Sequence, residues 1–169
     1  ISIQLQHGGR AALPQFSGHA VPLVSAIPGV TPYDNSVILS EEEIARLVEC
    51  WGKAAIRARE AGFDAVEIHG ASGYLLEQAV SAFTNRRADG YGGSLAKRLR
   101  FPAEVVRAVR AAVGGDFPIL YRHTSMEDVP ERHRLRYQRR AVPGPHGRGR
   151  QRLRHHGGNA MLLRADDPT

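Results

Sequence analysis

The stretch Phe63-Asp64-Ala65-Val66-Glu67-Ile68-His69-Gly70-Ala71-Ser72-Gly73-Tyr74-Leu75-Leu76 decides how the rest of the chain is read. Its first half is an apolar run rich in β-formers, bounded by Gly62 and Gly70, and it predicts a buried strand. Polar groups gather where that strand must end: His69, Ser72 and, after another glycine, Tyr74. In parallel α/β folds, ligands and catalytic side chains collect at the carboxyl ends of strands. The trio is therefore a candidate site on pattern alone. The plainer alternative is a satisfied strand-end histidine and a tyrosine that caps the next helix.

Working outward, Ser40 opens a helix just upstream. Ser40 and Glu43 form a capping box, and Glu41 and Glu42 suit the positive end of the helix dipole. Ile44, Leu47, Val48, Trp51, Ala55 and Ala58 hold one apolar face at helical spacing, and Gly62 terminates it. Further upstream, Ile1 to Leu5 alternates apolar residues with Ser2 and Gln4, and the turn His7-Gly8-Gly9-Arg10 ends that short strand. Between the two, residues 11–39 carry Pro14, Pro22, Pro28 and Pro32 and no sustained periodicity, which predicts a long loop.

Downstream, Leu75 to Phe83 predicts a short helix. The stretch from Thr84 to Ser94, dense in glycine and charge, reads in isolation as a solvated connection. A second amphipathic helix runs from Leu95 to Val113, with Phe101, Val105, Val106, Val109 and Val113 inward and Pro102 near the first turn of its later segment. Gly114 and Gly115 stop it, and Phe117 to Arg122 reads as a third strand. Strands separated by helices at this spacing predict a parallel barrel or open sheet.

From Thr124 the character changes. Residues 1–123 hold 13 Lys and Arg against 12 Asp and Glu, whereas residues 124–169 hold 10 Arg against 5 acids. The basicity therefore belongs to the tail, and the overall charge of +6 says little about the folded part. Residues 131–157 are dominated by Arg, His, Gly and Pro, a composition that cannot offset chain entropy and predicts disorder. We read the tail as the product of a shifted reading frame in a GC-rich gene, which the parent DNA sequence would decide. A nucleic-acid-binding arm is the weaker alternative, because no aromatic interleaving or folded basic motif accompanies the arginines.

The single cysteine, Cys50, allows no internal disulfide and fits a reducing, cytoplasmic setting. No apolar run is long enough to cross a bilayer. The chain opens without Met on what reads as an internal strand, so a piece of a longer protein is expected.

Several motifs in order resemble one family. Gln4-Leu5-Gln6-His7-Gly8-Gly9-Arg10, the central stretch from Ala61 to Leu76, Asn85-Arg86-Arg87-Ala88-Asp89-Gly90-Tyr91-Gly92-Gly93-Ser94, the run Arg98 to Arg110 and the strand Phe117 to Arg122 are similar to the Old Yellow Enzyme family. The resemblance covers residues 1–123. It implies an FMN-binding TIM (β/α)8 barrel, of which this chain would hold about strands three to five, followed by the irregular tail 124–169. It also implies an enzyme that uses NAD(P)H to reduce activated alkenes or enoyl compounds.

Residue roles follow from the same likeness. Gln4 matches the glutamine that bonds the flavin pyrimidine ring, since an amide offers both donor and acceptor. Arg122 matches the arginine that stabilises negative charge on reduced flavin. His7 and Arg10 are expected to shape the turn near the flavin. His69 matches the first donor to the substrate carbonyl oxygen, and Tyr74 the proton donor to the α-carbon. Ser72 departs from the pattern, because the family usually places His or Asn there, and a serine hydroxyl is a shorter donor. No metal ligand is assigned. The expected partner is a small-molecule substrate, with neither nucleic acid nor membrane, and the oligomeric state is left open. The competing expectation is a truncated remnant without catalysis.

Overall fold

The computed structural model describes residues 1–125 except 31 and 33, residue 127, and a strand at 158–163. The expectation of disorder over 131–157 lies outside the described residues. In chain order the elements are β1 (Ser2–Leu5), a 3-10 turn (Gly9–Ala11), α1 (Pro14–Ser17), β2 (Val21–Leu23) and β3 (Ser36–Ile38). They continue with α2 (Glu41–Glu60), β4 (Ala65–Gly70), α3 (Leu75–Val80), α4 (Leu95–Arg98), α5 (Arg100–Val113), β5 (Ile119–Thr124) and β6 (Gly158–Leu163).

The main sheet has the order β1-β4-β5-β6. Its first three strands are parallel, with Gln4 opposite Glu67 and His69 opposite Arg122. Strand β6 joins antiparallel to β5. That strand departs from the expectation of an irregular tail through residue 169. The apolar run Ala160–Leu163 lies within that strand, beyond the charged stretch from which the irregular tail is expected. Beside the main sheet, β2 and β3 form a parallel pair within the segment read as loop. Three-residue strands are too short to show a period.

The helices form as their sequences dictate. Ser40 Oγ accepts from the Glu43 amide at 3.1 Å, and Glu43 Oε2 accepts from the Ser40 amide at 2.7 Å, closing the capping box of α2. The expected second long helix is divided at Leu99 into α4 and α5. Pro102 is the reason: it has no N–H for the Arg98 carbonyl one turn back, so the ladder breaks there. Ile44, Trp51 and Ala55 of α2 and Phe101, Val105 and Val109 of α5 join Val66, Ile68 and Ile119 in one buried cluster, with Ile3 and Leu5 packed against it.

Strand alternation then gives the sheet two unlike sides. Ile3, Leu5, Val66, Ile68 and Ile119 face the helices, and the intervening Gln4, Glu67, His69 and Arg122 share the opposite side. Gly70 belongs to the helix side, where a Cβ would lie 2.1 Å from the Tyr121 hydroxyl. The tyrosine crosses β4 only because residue 70 has no side chain.

The segment from Asn85 to Ser94 is a tied loop rather than a solvated connection. Arg87, with a side chain only 7% exposed, pairs with Asp89 and donates to the Val24 and Leu39 carbonyls at 2.9 and 2.5 Å. Asn85 is buried and donates to the Ala79 and Tyr91 carbonyls at 2.6 and 2.8 Å. Buried polar groups need such partners, and here the partners are backbone atoms of other segments.

Candidate functional site

The carboxyl ends of β1, β4 and β5 bring Gln4, Glu67, His69 and Arg122 onto one side of the sheet. The Gln4 amide donates to Glu67 Oε1 across the strands. Because a carboxylate can only accept, this contact gives the amide its orientation and turns the Gln4 carbonyl oxygen elsewhere. His69 is 5% exposed, yet its Nδ1 has no hydrogen-bond partner, and the buried Nε of Arg122 has none either. An unpaired buried polar atom costs free energy. Two of them, on register-paired residues, mark a place built for polar atoms of something else.

Electrostatics sharpen that reading. Burial, and then the Arg122 guanidinium, hold the His69 imidazolium form below the ordinary histidine range, with Glu67 and Glu77 opposing more weakly. A neutral imidazole at pH 7 carries one N–H donor and one acceptor. Burial lowers His7 in the same way.

Tyr74 stands over this edge. Its ring centroid is 5.2 Å from that of His69, tilted by 54°. It is placed by the turn Ala71–Tyr74, in which the Tyr74 amide donates to the Ala71 carbonyl at 3.2 Å. Ser72 is exposed at the apex of that turn with φ of 60°, the left-handed region, and its amide donates to Thr124 Oγ1 at 3.3 Å. The structure thus brings His69, Arg122 and Tyr74 together, and sets Ser72 at the rim. His7 and Arg10 lie in the turn after β1. The His7 carbonyl accepts from the Leu75 amide at 3.0 Å, and His7 Nδ1 accepts from the Gly9 amide at 3.0 Å.

Sequence reading missed two residues here. Glu67 was absorbed into the strand, although it shares the polar side with Gln4. Gln78, 2% exposed, reads as an ordinary helix residue, but its side chain reaches both turns of the site. The signal in the sequence is the Glu77-Gln78 pair inside the otherwise apolar run Leu75–Val80. A separate cavity lined by Gly70, Val80, Leu99, Tyr121 and His123 opens on the helix side and is not part of this arrangement.

The donors present fit a flat heterocycle with carbonyl oxygens and a ring N–H. An amide, a guanidinium nitrogen and an imidazole nitrogen lie on one side of the sheet, the latter two unsatisfied. Comparison with known proteins points the same way. The NADH:flavin oxidoreductase / NADH oxidase family matches residues 1–136. The chain is 44% identical over 133 residues to a metal reductase of Desulforamulus reducens, an alignment of 79% of this chain and 20% of that protein. It is 42% identical over 131 residues to a cinnamate reductase of Clostridium sporogenes, covering 73% of this chain and 19% of the other. An Old Yellow Enzyme homologue from Zymomonas mobilis superimposes with a TM-score of 0.61 at 38% identity, over 68% of this chain and 35% of its own. The chain thus spans about a fifth of the curated relatives' length and about a third of the solved structure's.

Proposed function

The chain belongs to the NADH:flavin oxidoreductase / NADH oxidase family, and on that premise we propose that its polar sheet side is one wall of an FMN site in an NAD(P)H-dependent ene-reductase. Bound FMN would supply the hydride, taken from NAD(P)H and given to the β-carbon of an activated alkene. Gln4 offers its amide to the pyrimidine edge, and Arg122 places a fixed cation beside the same ring. His69, held neutral, donates its N–H to the substrate carbonyl oxygen, where negative charge builds during the reaction. A preorganised donor of that kind contributes about 3 kcal/mol. Tyr74 gives its phenolic proton to the α-carbon, acting as the general acid of the second step. Ser72, at the rim, is the shorter second donor.

The observation that carries this reading is the orphaned pair, His69 Nδ1 and Arg122 Nε, on register-paired residues with Tyr74 alongside. The likeness to a cinnamate reductase supports a conjugated alkene as the substrate class. The test is an FMN titration followed by flavin fluorescence, with the visible spectrum of the purified chain. Saturable quenching is expected, and it should weaken at least tenfold in Arg122→Ala, the usual loss for a charge-assisted hydrogen bond. No uptake by the unmodified chain, or equal uptake by both proteins, overturns the assignment.

One further observation favours a restricted second reading. Among the described residues the sheet stays open, with β1 and β6 at its edges. A wall without the rest of the barrel positions one side of a ligand only, so the 169 residues alone are expected to bind better than they catalyse.

A further inference from the structure

We propose that Gln78 is a positioning residue that locks the two glycine turns of the site together and so holds Tyr74 against His69. Its Oε1 accepts from the Arg10 amide at 3.1 Å, while its Nε2 donates to the Gly8 carbonyl at 3.3 Å and to the Gly73 carbonyl. The first two contacts lie in the turn after β1, and the third lies in the turn after β4, immediately before Tyr74. One primary amide thus uses its acceptor and both donors on backbone atoms about 70 residues away and five residues away.

The surroundings are shaped for it. Gly9 has φ of 55°, and a Cβ there would lie 2.5 Å from Gln78 Oε1, so only glycine leaves the amide its place. From the preceding residue of the helix, Glu77 Oε2 accepts from the Gly73 amide. Both polar groups of Gly73 are therefore held by α3, and the Leu75 amide closes the junction on the His7 carbonyl at 3.0 Å. Tyr74 follows Gly73 directly, and its own side chain makes no cap bond that could fix it. Its closeness to His69 depends on the backbone preceding it, and Gln78 is the buried group that ties this backbone to the opposite turn. The catalytic meaning of that geometry rests on the function proposed above. The geometry itself does not.

The experiment is nuclear magnetic resonance on the whole chain without cofactor, comparing the unmodified protein with Gln78→Leu and the isosteric Gln78→Glu. In the unmodified chain, ring-to-ring Overhauser contacts between Tyr74 and His69 are expected, with slow exchange of the Gln78 side-chain amide and the Arg10 N–H. Gln78→Glu keeps the acceptor for Arg10 but loses both donors to Gly8 and Gly73. It is expected to lose the Tyr74–His69 contacts while Arg10 stays protected. Gln78→Leu is expected to lose both. A folded Gln78→Glu that retains the ring contacts at full strength overturns the proposal. Free exchange of the Gln78 amide in the unmodified protein does so without any variant, which covers the case in which neither variant folds. FMN titration of the same samples separates the two ideas. An unmodified chain with intact ring contacts and no FMN uptake supports the positioning role and overturns only the flavin assignment.

Discussion

Ser72 carries two unrelated demands. Its position in the turn requires φ of 60°, where an L residue other than Gly, Asn or Asp is strained by roughly 1–2 kcal/mol. The family preference for His or Asn at this point, read from sequence as a second hydrogen-bond donor, also suits that backbone, because both residues visit the left-handed region more readily than serine. Ser72→Asn is therefore expected to stabilise the chain by up to about 1 kcal/mol, seen as a higher urea midpoint at unchanged slope. A lower midpoint would mean that the Ser72 environment, not its backbone, governs. His69 carries a second prediction. Its folded-state protonation is disfavoured, as is that of His7, so near the ordinary histidine value the unfolded chain binds more protons than the folded one. Stability then rises with pH through that region, is complete above it and is lost as pH falls below about 6.5. The melting temperature should drop between pH 7.5 and 5.5. In Arg122→Gln the repulsion is gone, so the His69 resonances should titrate at higher pH and its share of the acid loss should shrink.

At the scale of elements, length decided what could be read. The helix α2 and the later part of the second amphipathic run show several turns of apolar spacing, and β4 has a full strand of β-formers, so all three were legible. The strands β2 and β3 offered three residues each and were not. The segment Asn85–Ser94 was misread for another reason: charge density in a sequence does not reveal carbonyl partners 48 or 63 residues away. Those partners make Arg87 a structural tie among three segments. Arg87→Ala should cost about 2–3 kcal/mol, because it strips charged donors from two carbonyls and leaves the Asp89 carboxylate only the Tyr91 amide. Arg87→Lys should recover less than half of that loss, since one ammonium cannot reproduce a planar fork serving both carbonyls and the carboxylate. Chemical unfolding of the three proteins checks both numbers. Full recovery by lysine would reduce Arg87 to a simple charge. The site was legible in the same uneven way: strand-end residues announced themselves by position, whereas the roles of Gln78 and Glu67 depend on the neighbours that folding gives them.

For the molecule as a whole, the open sheet governs what the chain can do alone. Steady-state NAD(P)H oxidation coupled to an enone is expected to stay near background for the isolated 169 residues, even with added FMN, because one wall does not surround a substrate. Turnover at the level of an intact relative would contradict this. The two-sided sheet has one more consequence. Ile3, Leu5, Val66, Ile68 and Ile119 interleave with Gln4, Glu67, His69 and Arg122 along β1, β4 and β5, so sliding any of these strands by a single step would exchange the two sides. Arg122 would be driven among Trp51 and Phe101, and Ile119 would be pushed out into water. A misthreaded copy would therefore forfeit its core and its pocket in the same error, and quality control that senses only greasy surface would also remove the molecules unable to hold a ligand.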